Sequence, residues 1–209
     1  MNVELVAMTQ PVAEKYFRTP RDLLVYAYNY ADFVKLDPDN LKHGPEVIQN
    51  ALKVDATSPL EHVVFTFKIE GISRACSHQL VRHRICTFTQ QSQRKIEYSE
   101  GFDYATPPSI QNNQSAKEAF QNSMQNARTS YATLRSHGVR KEDARFVLPN
   151  AVTTGLLWTI NVNALRHFLK LRLSKRSQWE IRELAKRIFD VAYGTLPEAF
   201  EDLKQVRES

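Results

Sequence analysis

The clearest pattern along the 209-residue chain is the alternation of apolar and polar positions at residues 62–70, HVVFTFKIE. Val63, Phe65, Phe67 and Ile69 fall on one side and His62, Val64, Thr66 and Lys68 on the other, the period of a half-buried strand. Residues 154–162 (TGLLWTINV) form a second β-rich run, and residues 2–8 (NVELVAM) alternate weakly, as an edge strand would. Elsewhere the spacing is helical. Ala116, Phe120, Met124, Ala127, Tyr131 and Leu134 recur at steps of three and four, giving a long amphipathic helix that Gly138 ends. Thr19-Pro20-Arg21-Asp22 starts a helix, with proline in the first turn and an acid near the positive end of the dipole. That helix is expected to reach about Phe33, before Asp37-Pro38-Asp39-Asn40 breaks it. Further helices are expected at 45–53, 73–84, from about 141, and at 164–173, 178–192 and 197–206, with a short turn at Ser58-Pro59-Leu60-Glu61. Residues 85–113 read as irregular and polar. No repeat, low-complexity linker or boundary divides the chain, so one α+β domain over 1–209 is expected, helix-dominated with a small, mainly antiparallel sheet.

Composition narrows the function classes. At 42% hydrophobic and 24% charged the chain is globular. No run approaches the ~20 apolar residues of a membrane span, and the first 30 residues lack a secretory pattern, so a cytoplasmic protein without a membrane partner is expected. Two cysteines, Cys76 and Cys86, make neither a disulfide framework nor a zinc quartet. Each is expected to pack as a small hydrophobe. His62, His78 and His83 have no carboxylate at ligand spacing, so no metal site is expected. The six glycines are too dispersed for a dinucleotide fingerprint or a phosphate loop, and any nucleotide must be held some other way.

Charge changes the picture further. Net charge is +5 and the isoelectric point about 9.2, which by itself suggests nucleic acid. Mapped along the chain, Arg74, Arg82, Arg84, Arg94 and Lys95 lie in residues 71–96, and Arg166, Lys170, Arg172, Lys175 and Arg176 in 161–179, neither segment holding an acid. With those ten set aside, 18 basic residues face 23 acidic ones elsewhere. The surplus therefore belongs to two short patches. A solvated helix face would explain each, as would a binding site for anions.

What accompanies the first patch favours the binding site. On the helix expected over 73–84, Gln79, Arg82 and His83 stand at i, i+3 and i+4 and share one face. An amide, a guanidinium and an imidazole side by side are costly to bury unpaired, so an anionic, planar ligand would complete them. The following Thr89-Gln90-Gln91-Ser92-Gln93-Arg94 is rich in neutral donors and acceptors suited to a uracil edge plus a phosphate. The alternative is a surface helix followed by a polar loop. In the second patch, Asn163 and His167 share a face while Arg172 lies about 140° round from His167.

Arg82-His83-Arg84, followed after seven residues by Ser92 and then Arg94, resembles the signature of the flavin-dependent thymidylate synthases. Ser58-Pro59-Leu60-Glu61-His62 with its strand is similar to that family's upstream flavin turn. Asp143-Ala144-Arg145-Phe146-Val147-Leu148-Pro149, Leu157-Trp158-Thr159-Ile160-Asn161, Arg166-His167-Phe168, Leu171-Arg172 and Gln178-Trp179-Glu180-Ile181-Arg182 continue the resemblance in order. It covers roughly residues 56–200. The resemblance implies a homotetramer that holds FAD between subunits without a Rossmann fold. It also implies reductive methylation of dUMP at C5, with methylenetetrahydrofolate as carbon donor and NADPH as reductant. Carried over by position, Ser58, Glu61, Arg82, His83, Arg84, Asn161, Asn163 and His167 would contact flavin. Gln79, Arg82, Gln90, Gln91, Ser92, Gln93, Arg94 and Arg145 would cradle the nucleotide, and Arg172 would bind and polarise the pyrimidine as the catalytic residue.

The residue types suit that chemistry. Uracil C5 becomes nucleophilic when negative charge is drawn toward the carbonyl oxygens and N3, which a permanently charged guanidinium can stabilise. Ser92 has no base beside it in the sequence and reads as a substrate-binding hydroxyl. Trp158 and Trp179 read as core or interface anchors. The chain departs from the family pattern at Ala27-Tyr28-Asn29-Tyr30, at Ala56, where a histidine is common, and at Lys95, where an aromatic is usual. These departures keep open a relative that methylates UMP or a modified nucleotide. A fold that only binds nucleotide and a basic nucleic-acid-binding module remain as further alternatives.

Overall fold

The computed structural model describes residues 1–12, 17–31 and 43–208. Its sheet has four strands, β1 (Asn2–Met8), β2 (Val64–Ser73), β3 (Cys86–Gln90) and β4 (Thr153–Asn161), in the order β1-β2-β4-β3. The alternation read from the sequence decides which face is covered. Phe65, Phe67 and Ile69 of β2 are fully buried, as are Trp158 and, within 1%, Ile160 of β4. On the opposite face the Thr66 and Thr159 hydroxyls lie 3.0 Å apart. Val162 N donates to Val63 O at one end of this pairing and Arg74 N to Val152 O at the other, so β2 and β4 run antiparallel. The expected edge strand is β1, at the end of the sheet.

By compactness the chain divides into two interleaved units. One comprises Met1–Asn2, Ile69–Arg82 and Thr89–Leu156, the other Val3–Lys68, His83–Phe88 and Leu157–Ser209. The chain passes from one to the other inside β1, β2, β3 and β4, and once more between Arg82 and His83.

The second unit contains helices α1 (Pro20–Ala31) and α2 (Gly44–Lys53), followed by the 3-10 turn Ser58–His62. The end of the first expected helix and the Asp37-Pro38-Asp39-Asn40 breaker lie outside the described residues. The same unit later forms α7 (Val162–Arg172) and α8 (Trp179–Thr195), with α3 to α6 belonging to the other unit. Asn161 caps α7, its Oδ1 accepting from Ala164 N at 2.8 Å. Val162, Leu165, Phe168 and Leu169 form the buried stripe of α7. Arg166 is also buried, and a guanidinium there needs full pairing. Asp202 grips it with both oxygens at 2.7 Å, and Ala199 O accepts from Nη1. Arg21 Nη1 meets Glu198 at 2.9 Å, so the C-terminal segment is tied to both α7 and α1. That segment differs from the helix expected at 197–206. It is two 3-10 turns, Pro197–Ala199 and Glu201–Leu203, before α9 (Lys204–Glu208), with the Ala199 carbonyl and the Asp202 carboxylate turned to Arg166. Trp158 sits centrally, its ring 4.9 Å from Phe168, 6.0 Å from Phe67 and stacked 6.1 Å from Phe88.

The first unit holds α3 (Arg74–Leu80), α4 (Pro108–Gln111), α5 (Gln114–Ser136), α6 (Lys141–Ala144) and the 3-10 turn Arg145–Val147. The long amphipathic helix is α5, buried at Met124 and Tyr131 against Tyr98, Phe102, Ala144 and Val152. Gly138 follows it at φ +80°, the left-handed conformation that stops a helix. The helix expected over 73–84 is shorter. Capped by Ser73, whose Oγ accepts from Cys76 N, it ends at Leu80. Arg82, His83 and Arg84 lie beyond it, so the common helical face drawn for Gln79, Arg82 and His83 does not form. The β-favouring Cys86-Thr87-Phe88-Thr89 pairs with β4 instead, and Gln91 N continues that pairing to Gly155 O. Residues 85–113 are accordingly not all irregular: β3 and α4 lie within them.

Trp158 is the largest fully buried side chain and touches three other rings. Trp158→Ala should lower unfolding free energy by about 3–5 kcal/mol, measured by urea titration. A loss below about 1 kcal/mol would contradict its central place.

Candidate active site

In the second unit, two backbone junctions bring the expected flavin-side residues together. The 3-10 turn before β2 carries Ser58 and Glu61, both exposed, and the start of α7 carries Asn161 and Asn163. Asn163 Nδ2 donates to Glu61 Oε1 at 3.1 Å. Asn161 uses its carbonyl oxygen as the helix cap. Asn163 and His167, one turn apart, line a cavity of about 150 Å³ with Arg166, Lys170, Thr57 and Asp55. Asp55 reaches this position through a left-handed backbone, φ +58°.

His83 lies in the loop before β3, and Arg172 ends α7. Arg172 Nε donates to His83 Nε2 at 3.1 Å. A guanidinium only donates, so His83 Nε2 is the bare nitrogen and its proton sits on Nδ1. The ring stands edge-on to Phe168, centroids 5.0 Å apart, and the His83 carbonyl accepts from Cys86 Sγ. Burial first, then the Arg172 guanidinium and His167, hold the imidazole down to about 4 from its usual 6.5. His83 is thus a neutral ring at physiological pH. Arg172 is half-buried, and among the described residues its Nη1 and Nη2 have no hydrogen-bond partner. Arg84 is exposed nearby in sequence. Although 140° separates His167 and Arg172 around the helix axis, both act on the same imidazole.

In the first unit the expected nucleotide residues fall into two groups. Gln90 Nε2 reaches Thr154 Oγ1 at 3.3 Å, and Gln91 Oε1 accepts from Gly155 N at 2.9 Å, so both amides are engaged with β4. Ser92 Oγ accepts from Arg94 N, and Arg94 Nη2 meets Glu142 Oε2 at 3.2 Å. Arg145 Nε donates to Glu142 O at 3.0 Å. Glu142, absent from the sequence-based set, therefore gathers Arg94 and Arg145. Arg74 is a second omission. It is half-buried, and burial and the Arg145 guanidinium pull it below its usual value, with Tyr98 opposing. Its place in the first basic segment was the available signal. Gln79 and Gln93 are half-buried and Arg82 exposed.

The atypical positions are also placed. Tyr28 packs inside the second unit, where burial pushes its phenol up to about 12 against the pull of Arg166, while Tyr30 is exposed. Ala56 is exposed, and Lys95 is exposed with its carbonyl accepting from Lys141. A larger cavity of about 590 Å³ lies beside α2 and the C-terminal segment, holding Glu198, Glu201, Asp202 and Glu208. These four carboxylates outnumber Lys53 and Lys204 in the lining, which disfavours phosphates, and none of the expected residues lines it. Among the described residues no three metal-ligating side chains gather, and no helix is long and apolar enough to cross a membrane.

A family model for the thymidylate synthase complementing protein matches residues 16–198. A flavin-dependent thymidylate synthase of Geobacter sulfurreducens is 47% identical over 146 residues, 69% of this chain and 63% of that protein. One of Nitratidesulfovibrio vulgaris is 44% identical over 161 residues, 73% of this chain and 65% of the relative. One of Pyrococcus abyssi is 37% identical over 195 residues, 88% and 78%. The chain belongs to the thymidylate synthase complementing protein family. It spans less than two thirds of the length of the first two of these relatives.

The neutral His83 has a measurable consequence. Its folded value lies below the unfolded one, so between 6.5 and about 4 the unfolded chain binds more protons. Stability should therefore fall as pH drops through that window, with no further loss from this group below about 4. His83→Gln removes the titration, and the difference in urea midpoint between wild type and variant should change across the window. A difference independent of pH from 7 to 4 would contradict the depressed imidazole.

Proposed function

We propose that the chain is a flavin-dependent thymidylate synthase that methylates dUMP at C5, taking the one-carbon unit from methylenetetrahydrofolate and its reducing equivalents from NADPH. The observation that carries this is Arg172, a guanidinium anchored at Nε with both terminal nitrogens available. Those N–H groups would meet the pyrimidine carbonyl edge and stabilise the charge that makes C5 nucleophilic. A C–C bond then forms between C5 and the methylene carbon, the carbon–nitrogen bond to the folate breaks, and the C5 proton leaves.

The residues fit a flavin. A neutral imidazole edge-on to Phe168, the exposed Ser58, the Asn163–Glu61 pair and the cavity lined by Asn163, His167 and Lys170 offer a half-apolar surface beside hydrogen-bond donors. Arg82 and Arg84, exposed and with no side-chain hydrogen bond among the described residues, would complete them, with the amide nitrogen of Asn161. These residues would hold FAD, which when reduced by NADPH would supply the hydride that turns the transferred carbon into a methyl group. In the first unit, Arg94 and Arg145, steadied by Glu142, would hold the nucleotide phosphate, and Ser92 would hydrogen-bond the substrate. Gln79, Gln90, Gln91 and Gln93 would line the same nucleotide site. No cysteine nucleophile is called for: burial pushes the Cys86 thiol up, which disfavours the thiolate. Exposed Ile85, Leu171 and Trp179, at 74%, 49% and 36%, support a homotetramer whose subunits cover these side chains. A nucleic-acid platform is disfavoured because Phe88, the aromatic of the signature, is stacked on Trp158.

Arg172→Ala should retain bound FAD, seen as the yellow absorbance of the purified protein, and lose about 100-fold or more in dTMP formation. Full turnover by this variant would refute the role. Assayed side by side, dUMP should be consumed and UMP should not; the reverse preference would identify a ribonucleotide methylase.

A further inference from the structure

We propose that His83 is a positioning residue for Arg172: its imidazole accepts the Arg172 Nε–H and aims the two terminal nitrogens of the guanidinium at the pyrimidine. This rests on the function proposed above and assigns His83 a task other than flavin contact. Three observations carry it. The Nε–Nε2 distance is 3.1 Å, and the donor-only guanidinium fixes which ring nitrogen is bare. The ring cannot easily turn, because it stands edge-on to the fully buried Phe168, itself packed on Trp158. Its backbone is held too, by the Cys86 Sγ–H on the His83 carbonyl. Arg172 ends α7, so its long side chain would otherwise sample many rotamers. Anchoring Nε orders it before substrate arrives.

The chemical identity of the anchor matters. A carboxylate would hold the guanidinium equally well but would cancel the charge needed at the pyrimidine. A neutral imidazole orients Arg172 and leaves that charge intact, and among the described residues no carboxylate pairs with Arg172.

The test uses the full chain. In flavin-free, substrate-free protein at pH 7, ¹⁵N spectra should show His83 protonated at Nδ1 and bare at Nε2, with the Nε2 signal moving in Arg172→Lys, which lacks the Nε–H. A charged ring or an Nε2–H tautomer overturns the proposal. With FAD bound, His83→Leu should lower kcat per bound flavin about 100-fold, whereas His83→Gln, which keeps a neutral acceptor, should restore most of it. His83→Glu should bind dUMP but stay slow. In the Arg172→Lys background, His83→Leu should cause no further loss. Additive losses, or a loss confined to flavin content with kcat per bound flavin unchanged, overturn the positioning role. Wild-type protein that binds FAD but turns over no pyrimidine nucleotide refutes the proposed function instead, while the ¹⁵N result still judges the hydrogen bond.

Discussion

Where β2 begins and β4 ends, Val162 N donates to Val63 O, and from this one pairing the chain diverges into the two segments that carry residues proposed to contact flavin. The turn bearing Ser58 and Glu61 lies just before β2, and α7, with Asn163, His167 and Arg172, follows β4 directly. The register is held on one face by Phe65, Phe67, Trp158 and Ile160 and on the other by the Thr66–Thr159 contact. A slip of one residue would turn those rings outward and separate Asn163 from Glu61. Core packing and site geometry are therefore the same constraint, expressed on the two sides of a strand end.

The second dependence is electrostatic. His167, Lys170 and Arg172 share one helix without an acid, and the buried Arg166 that precedes them is neutralised internally, by Asp202. Keeping His83 neutral limits the repulsion in this cluster while leaving Arg172 fully charged. A group of this charge suits an anion, which the nucleotide ligands of the proposed reaction would bring.

Much of this was legible in the sequence. The period-two run at 62–70 gave β2 with the correct buried face, the three-and-four spacing gave α5 with its Gly138 stop, and charge mapping separated two basic segments from an acidic remainder. The end of α3 was not legible. Residues 81–84 contain no helix breaker, and what ends the helix is the pairing of β3 with a strand more than sixty residues away. The loss of helical phase there also hid the His83–Arg172 hydrogen bond, which joins residues 89 positions apart. Glu142 and Arg74 escaped for a related reason: the Glu142 carboxylate meets Arg94, 48 positions away, and Arg74 meets Arg145, both neighbours supplied by folding.

Methylation at pyrimidine C5, as proposed for this chain, must release the C5 hydrogen. The most direct measurement is release of tritium to water from [5-³H]dUMP in the presence of FAD, NADPH and methylenetetrahydrofolate. Release matching dTMP formation is expected; dUMP that binds but keeps its tritium would contradict the claim.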